Sequence, residues 1–269
     1  MEEKVKKILS SYKIKLDPFK DQFFLIDQEI IKKIVEEAKI RPNEKVVEIG
    51  AGLGFITWEI AKRSRNVLAI EIDRRFKPIL NKLPSWVKVV YGDAWKILGG
   101  LHYSKYKFDK LISSLPYSLC EPIMHKFTYG VKFKTIVFVI PKKFFYKILN
   151  HPIFSAFYKI EKVLDVPKKA FYPIPRVNSV VAKITPYKNP PLSAVICQYL
   201  YKHRRSLTKN ALVEALIEVS PKIYQRKITK NQARKLVQEL GIDQKLLKER
   251  PIDNPSIYFE VIKKINTVS

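Results

Sequence analysis

Lys45-Val46-Val47-Glu48-Ile49-Gly50-Ala51-Gly52-Leu53-Gly54 is the stretch on which the reading of this chain turns. A β-branched run ending in an acidic residue passes straight into a glycine-rich turn, and residues 56–63 then carry helical spacing. Strand, tight turn and helix in that order let backbone approach a ligand closely. The glycines are spaced GxGxG, so the third comes one residue earlier than in the dinucleotide fingerprint GxGxxG. With Glu48 closing the strand, this favours a cofactor that has no pyrophosphate to cradle.

Outward from this stretch, β-branched runs at residues 67–72 and 87–91 flank a helical segment at 74–83. Further strand candidates lie at 110–113, 135–140, 160–166 and 180–184. With 45–48 these make seven strands, and their alternation with helices predicts an α/β fold built on a mostly parallel sheet. Lys188-Asn189-Pro190-Pro191 reads as a linker. Beyond it Leu192, Val195, Ile196, Leu200 and then Ala211, Leu212, Ala215, Leu216 recur at helical spacing. The expected division is a cofactor domain over 1–187 and a small all-helical domain over 188–269.

The strand ends carry the chemistry. Twenty-one residues after Gly50, the second strand closes in Ala69-Ile70-Glu71-Ile72-Asp73, where the Glu71 carboxylate can accept from both hydroxyls of a ribose. The third ends in Tyr91-Gly92-Asp93-Ala94, where Asp93 can accept from an adenine amine. Glu48, Glu71 and Asp93 in succession suit an adenosine ligand that carries a cationic sulfonium. After the fourth strand, Ser113-Ser114-Leu115-Pro116-Tyr117 forms a rigid turn that points a side-chain oxygen, a carbonyl and a ring into one pocket. Such a turn can grip a planar amine.

The chain has 51 Lys and Arg against 25 Asp and Glu, a net charge of +26, far beyond what solubility needs. Eleven cations face two acids over residues 126–176, and ten face two over 202–235, so a groove between the domains is expected to hold a polyanion. His203, Arg204, Arg205 and Lys209 read as phosphate contacts. Cys120 and Cys197 lie far apart and outside any CxxC pattern, which argues against a disulfide framework or a metal site and fits a reducing cytoplasm. No run approaches 18 apolar residues, and the first 20 residues hold no signal-peptide core, so a membrane location is not expected. A monomer is the expected state.

Together these motifs resemble the ribosomal RNA adenine N6,N6-dimethyltransferase family, whose catalytic turn reads Asn-Leu-Pro-Tyr. The further landmarks are Gln22-Phe23-Phe24-Leu25, the run Ala170-Phe171-Tyr172-Pro173-Ile174-Pro175-Arg176-Val177-Asn178-Ser179, and His203-Arg204-Arg205-Ser206-Leu207 followed by Asn210-Ala211-Leu212. The resemblance spans nearly the whole chain and implies a Rossmann-like class I methyltransferase fold using S-adenosyl-L-methionine. It implies that Phe23, Leu25, Gly50, Gly52, Glu71, Asp93 and Ser114 line the cofactor site. It implies that Ser114, Leu115, Pro116 and Tyr117 form the catalytic turn, with Tyr117 and Phe171 sandwiching the target adenine. The implied substrate is two neighbouring adenines in the hairpin loop near the 3' end of small-subunit (16S) ribosomal RNA, free or in an immature 30S particle.

This chain departs from the family pattern in four places: Ser114 stands for the usual Asn, Phe23 for Asn or His, Asp21 for Gly, and the segment from Pro141 to Val166 is shorter and lacks the family's Gln-x-Glu and Tyr-x-Arg-Leu patterns. Two other functions remain open on residues alone. One is a DNA adenine methyltransferase, whose turn is of the same kind but which needs a larger target-recognition domain. The other is a ribosome-assembly or nucleic-acid-binding factor that keeps the fold without turnover.

Overall fold

The structure is a computed structural model and describes residues 1–17, 22–99, 108–129 and 133–268. Asp21 lies outside the described residues. In chain order the elements of the first unit begin with α1 (Glu2–Ser11), β1 (Phe24–Leu25), α2 (Gln28–Glu37), β2 (Lys45–Ile49), α3 (Phe55–Ala61), β3 (Asn66–Glu71), α4 (Lys77–Leu80), β4 (Val87–Tyr91) and α5 (Ala94–Gly99). They continue with β5 (Lys110–Ser114), α6 (Cys120–Tyr129), β6 (Thr135–Pro141), α7 (Lys142–Leu149), then β7 (Tyr158–Val166), β8 (Phe171–Tyr172) and β9 (Ser179–Pro186).

Seven strands form one sheet in the order β4-β3-β2-β5-β6-β9-β7. The pairings β3–β4, β2–β3, β2–β5 and β5–β6 are parallel, and β9 runs antiparallel to β6. This is the Rossmann-like, mostly parallel sheet expected from the alternating pattern. Val46, Val47 and Ile49 of β2 are all buried, as a strand in the middle of a covered parallel sheet requires. The strand order reverses between β2 and β5, and ligands of such sheets bind beyond the carboxyl ends of the strands at that switch point. Helix α2 shows how the flanking layers form: Asp27 caps it by accepting from the amides of Glu29 and Ile30, and Ile31, Ile34 and Val35 make its buried stripe.

The segment expected to be one helix over 74–83 is shorter. A 3-10 turn at Arg74–Phe76 leads into α4, which stops at Leu80. Pro84 keeps Leu83 out of the helical region and so bars an extension. A second, two-stranded sheet that no sequence pattern signalled lies apart from it: β1 pairs antiparallel with β8, matching Phe24 to Tyr172 and Leu25 to Phe171.

By its contacts the chain separates into two compact units, Met1–Leu149 with Lys159–Pro186, and Asn150–Tyr158 with Tyr187–Ser269. The second unit is helical: α8 (Pro152–Phe157), α9 (Leu192–Lys202), α10 (Thr208–Tyr224), α11 (Lys230–Glu239), α12 (Gln244–Lys248) and α13 (Ser256–Val268). Its core gathers Ile196, Leu200, Ala211, Leu212, Ala215, Val219, Val237 and Val261. Ile196 and Leu200 in α9 are four apart, and in α10 Ala211, Ala215 and Val219 recur every four with Leu212 three before Ala215, the spacing that places one stripe of each helix against its neighbours.

Candidate active site

The glycine loop leaves β2 and crosses the end of β3. The amides of Gly50 and Ala51 both donate to the Ile70 carbonyl, at 2.8 and 3.2 Å. The Gly52 amide then donates to Glu71 Oε2 at 2.7 Å, and the Asp73 amide to Glu71 Oε1 at 2.8 Å. Glu71 therefore does two jobs on one carboxylate. It pins the loop to the strand end, and each oxygen keeps a second lone pair for a ligand hydroxyl. It is buried, and that burial raises its pKa above the ordinary glutamate value despite the backbone donors.

Gly52 has no substitute here. Its φ is +51°, and a Cβ would meet Phe24 Cε1 at 2.9 Å. Phe24 thus lies directly on the loop, held edge-on against Phe76 with ring centroids 5.5 Å apart. Gln22 fastens the same segment: its Nε2 donates to Asp73 Oδ2, and its Oε1 accepts from the Asp17 amide, each at 2.9 Å. Arg75, hydrogen-bonded to Asp73, holds that carboxyl down at about 2. Leu25 is buried beneath, and Phe23 is half-buried.

Glu48, expected at the strand end, lies one residue inside β2 and is fully buried. Thr57 Oγ1 donates to its Oε2 at 2.5 Å. Burial pushes its carboxyl up to about 8, and the nearby Glu71 adds to the rise. Its contact is with α3, so it supports the loop from behind. Asp93 follows the Gly92 turn, half-buried at the head of α5. Ile72, between Glu71 and Asp73, leaves an apolar side chain 69% exposed at the mouth of the strand ends.

Strand β5 runs one residue further than the sequence pattern indicates, through Ser114, which pairs with Val139 of β6. The two serines have different tasks. Ser113 is buried and donates to the Ile49 carbonyl at 2.5 Å, tying the ends of β2 and β5 across the switch point. The Ser114 hydroxyl has no hydrogen-bond partner among the described residues. The turn reaches the glycine loop directly: a Cβ on Gly50 would lie 3.7 Å from Pro116 Cδ. Tyr117 stacks beside Phe23, with centroids 6.0 Å apart and planes at 27°, and its hydroxyl lies 3.1 Å from the buried Ser179 Oγ. Ser179 ends the Phe171–Ser179 run, so the last residue of that motif orients the tyrosine of the turn. Phe171 itself is 3% exposed and packs in the core.

The four basic positions of the second unit also divide. Arg204 stacks over Tyr201 at 4.1 Å and donates to the Tyr201 carbonyl at 3.1 Å. His203 is half-buried, with Nε2 enclosed and unpaired. Arg205 and Lys209 are exposed and form no ion pair among the described residues. A loop of three glycines with positive φ, a ribose-ready carboxylate and an exposed apolar side chain make a site that fits an adenosine-bearing cofactor without a pyrophosphate.

The comparisons with known proteins agree with this geometry. The chain is 33% identical over 221 residues to the probable ribosomal RNA small subunit methyltransferase A of Pyrococcus abyssi, covering 77% of this chain and 80% of that protein. It is 29% identical over 263 residues to the protein of the same name from Methanosphaera stadtmanae, covering 91% and 87%. The fold is shared with a dimethyladenosine transferase from Plasmodium falciparum, with a TM-score of 0.58 at 22% identity over 91% of this chain and 98% of that one. It is shared also with the 23S rRNA methyltransferase ErmE, with a TM-score of 0.56 at 20% identity over 90% and 99%. Among the described residues no helix is long and apolar enough to cross a membrane. The family model for ribosomal RNA adenine dimethylase matches residues 15–254, and this chain belongs to that family of S-adenosylmethionine-dependent methyltransferases.

Proposed function

We propose that the chain, acting as a cytoplasmic monomer, methylates N6 of two adjacent adenines in the 3'-terminal hairpin loop of small-subunit ribosomal RNA. The observation that carries this reading is the turn Ser114-Leu115-Pro116-Tyr117 set against the Gly50–Gly54 loop, with the Ser114 hydroxyl unspent.

S-adenosylmethionine supplies an electrophilic methyl group on a sulfonium. Glu71 accepts from its ribose hydroxyls, Asp93 from its adenine amine, and Ile72 covers its base; Phe23, Leu25, Gly50 and Gly52 complete the wall. The target adenine must leave its stack to reach the turn, and Tyr117 offers it a face worth about 1 to 3 kcal/mol. Adenine N6 is a weak nucleophile because its lone pair is delocalised into the ring. Ser114 Oγ and the Leu115 carbonyl accept its two hydrogens and turn that lone pair toward the methyl carbon. Held there, S-adenosylmethionine would supply the methyl group, its C–S bond giving way to the new N–C bond and the electron pair staying on sulfur. The proton on N6 then leaves to solvent, so no side chain has to act as base. Arg205 and Lys209 hold RNA phosphates; His203 and Arg204 shape the turn that presents them.

The test is single-turnover methylation on saturating substrate. Ser114→Ala should slow transfer about 10- to 150-fold, one hydrogen bond that strengthens as charge develops, with unchanged RNA affinity. Ser114→Asn should keep activity. A wild-type rate in Ser114→Ala removes the serine from the grip.

A further inference from the structure

The reading above leaves six cations unused. Over residues 219–238 the chain carries Lys222, Arg226, Lys227, Lys230, Arg234 and Lys235 and not one acid. They surround the junction of α10 and α11, where a cavity of about 280 Å³ opens among Tyr224, Arg226, Ile228, Lys235, Leu236 and Glu239. Its lining brings together one aromatic ring, two aliphatic side chains, two cations and one acid. Tyr224, the last residue of α10, is 47% exposed, so its ring is open to a partner. Arg226 is exposed and makes no ion pair among the described residues. Lys235 Nζ lies 4.0 Å from Glu239 Oε1, the one acid of the lining.

The junction is also built to hold its shape. Gln225 takes the left-handed conformation that ends α10, at φ +55°. Ser220 Oγ donates to the Ile217 carbonyl at 2.7 Å and accepts from the Ile228 amide at 3.1 Å. Thr229 and Gln232 then close a capping box that starts α11. A loop pinned at both ends keeps Tyr224 and Arg226 in fixed relation to Lys235, which lowers the cost of ordering them around a ligand.

We infer that this pocket is a second RNA site, binding one unpaired nucleotide with its base on Tyr224 and its flanking phosphates on Arg226 and Lys235. A flat, sequence-tolerant partner of aromatic rings that also carries negative charge is what the lining selects, and single-stranded nucleic acid joins the two. The inference rests on the reading that this protein acts on RNA, and it adds an anchor in the helical unit.

The experiment measures binding of the full chain to a short single-stranded RNA and to a duplex of equal length, by fluorescence anisotropy at several salt concentrations. Tyr224→Ala should weaken single-strand binding about 5- to 150-fold and leave Tyr224→Phe near wild type. Arg226→Gln with Lys235→Gln should lower the log-log salt slope by roughly 1.4, two single-strand phosphate contacts. Calorimetric binding of S-adenosylmethionine should be unchanged in each variant, showing that the fold is intact. Wild-type RNA affinity in Tyr224→Ala overturns the site. So does equal loss on strand and duplex, which marks a patch of charge alone. If the wild type binds as described yet methylates no ribosomal RNA, the pocket stands and the catalytic reading falls; if it methylates and Tyr224→Ala changes nothing, the reverse holds.

Discussion

The Gly52 amide donates to Glu71 Oε2 at 2.7 Å, so the residue that should bind the cofactor ribose is also the clasp of the loop that forms the pocket. Removing that carboxylate therefore strikes twice. Glu71→Ala should weaken S-adenosylmethionine binding by about 2 to 4 kcal/mol through lost charge-assisted hydrogen bonds, and should lower stability as well. Glu71→Gln keeps an acceptor for Gly52 and should recover part of both. Calorimetry and urea unfolding on the three proteins separate the effects; unchanged affinity in a folded Glu71→Ala protein removes Glu71 from the cofactor site.

Glu48 gives the fold a pH dependence of unusual sign. Its carboxyl is pushed up to about 8 in the folded chain and returns to the ordinary glutamate value on unfolding. The folded state thus binds more protons between these values, and its stability falls as pH rises from about 4.5 to about 8, by a few kcal/mol at most. Glu48→Gln holds a neutral side chain at every pH, so its stability relative to wild type should improve steadily across that window. A difference between the two proteins that stays flat from pH 5 to pH 8 would show that Glu48 is charged in the fold.

Tyr117 and Phe171 should separate under mutation. Phe171 is a core residue, and Phe171→Ala should cost about 3 to 5 kcal/mol of stability. Tyr117→Ala should leave stability nearly intact apart from the hydrogen bond to Ser179, yet abolish most methyl transfer. If Phe171→Ala instead unfolds like wild type and loses transfer, its ring turns out to the base.

The basic turn makes a similar division. Arg205→Gln with Lys209→Gln should lower the log-log salt slope of RNA binding by roughly 1.4 to 1.8. Arg204→Gln should leave the slope unchanged and cost stability, since its guanidinium is spent on Tyr201. Equal slopes in all three proteins would make Arg205 and Lys209 surface charge only.

How much of this was legible beforehand depends on length and on neighbours. Strands such as Val87–Tyr91 and Thr135–Pro141 are long enough for β-branched runs to mark them, and the glycine loop and acidic strand ends are local patterns. The β1–β8 pair is two residues long on each side, too short for any periodicity to mark it. The excursion of Asn150–Tyr158 into the helical unit follows no change in composition. Within the site, residue types were readable and partners were not. Ser113 and Ser114 are adjacent and identical in sequence, yet one is tied to Ile49 and the other has its hydroxyl to spare. Arg204 and Arg205 are equally cationic, and only the structure shows that one is already stacked.

The most direct measurement is nucleoside analysis of small-subunit ribosomal RNA after purified protein has been incubated with labelled S-adenosylmethionine and immature small subunits. The account predicts label in N6,N6-dimethyladenosine at two adjacent positions of the 3'-terminal hairpin loop, lost in Tyr117→Ala. Absence of label from any small-subunit particle, in a protein that still binds the cofactor and the RNA, would contradict it and leave an assembly factor on a methyltransferase fold.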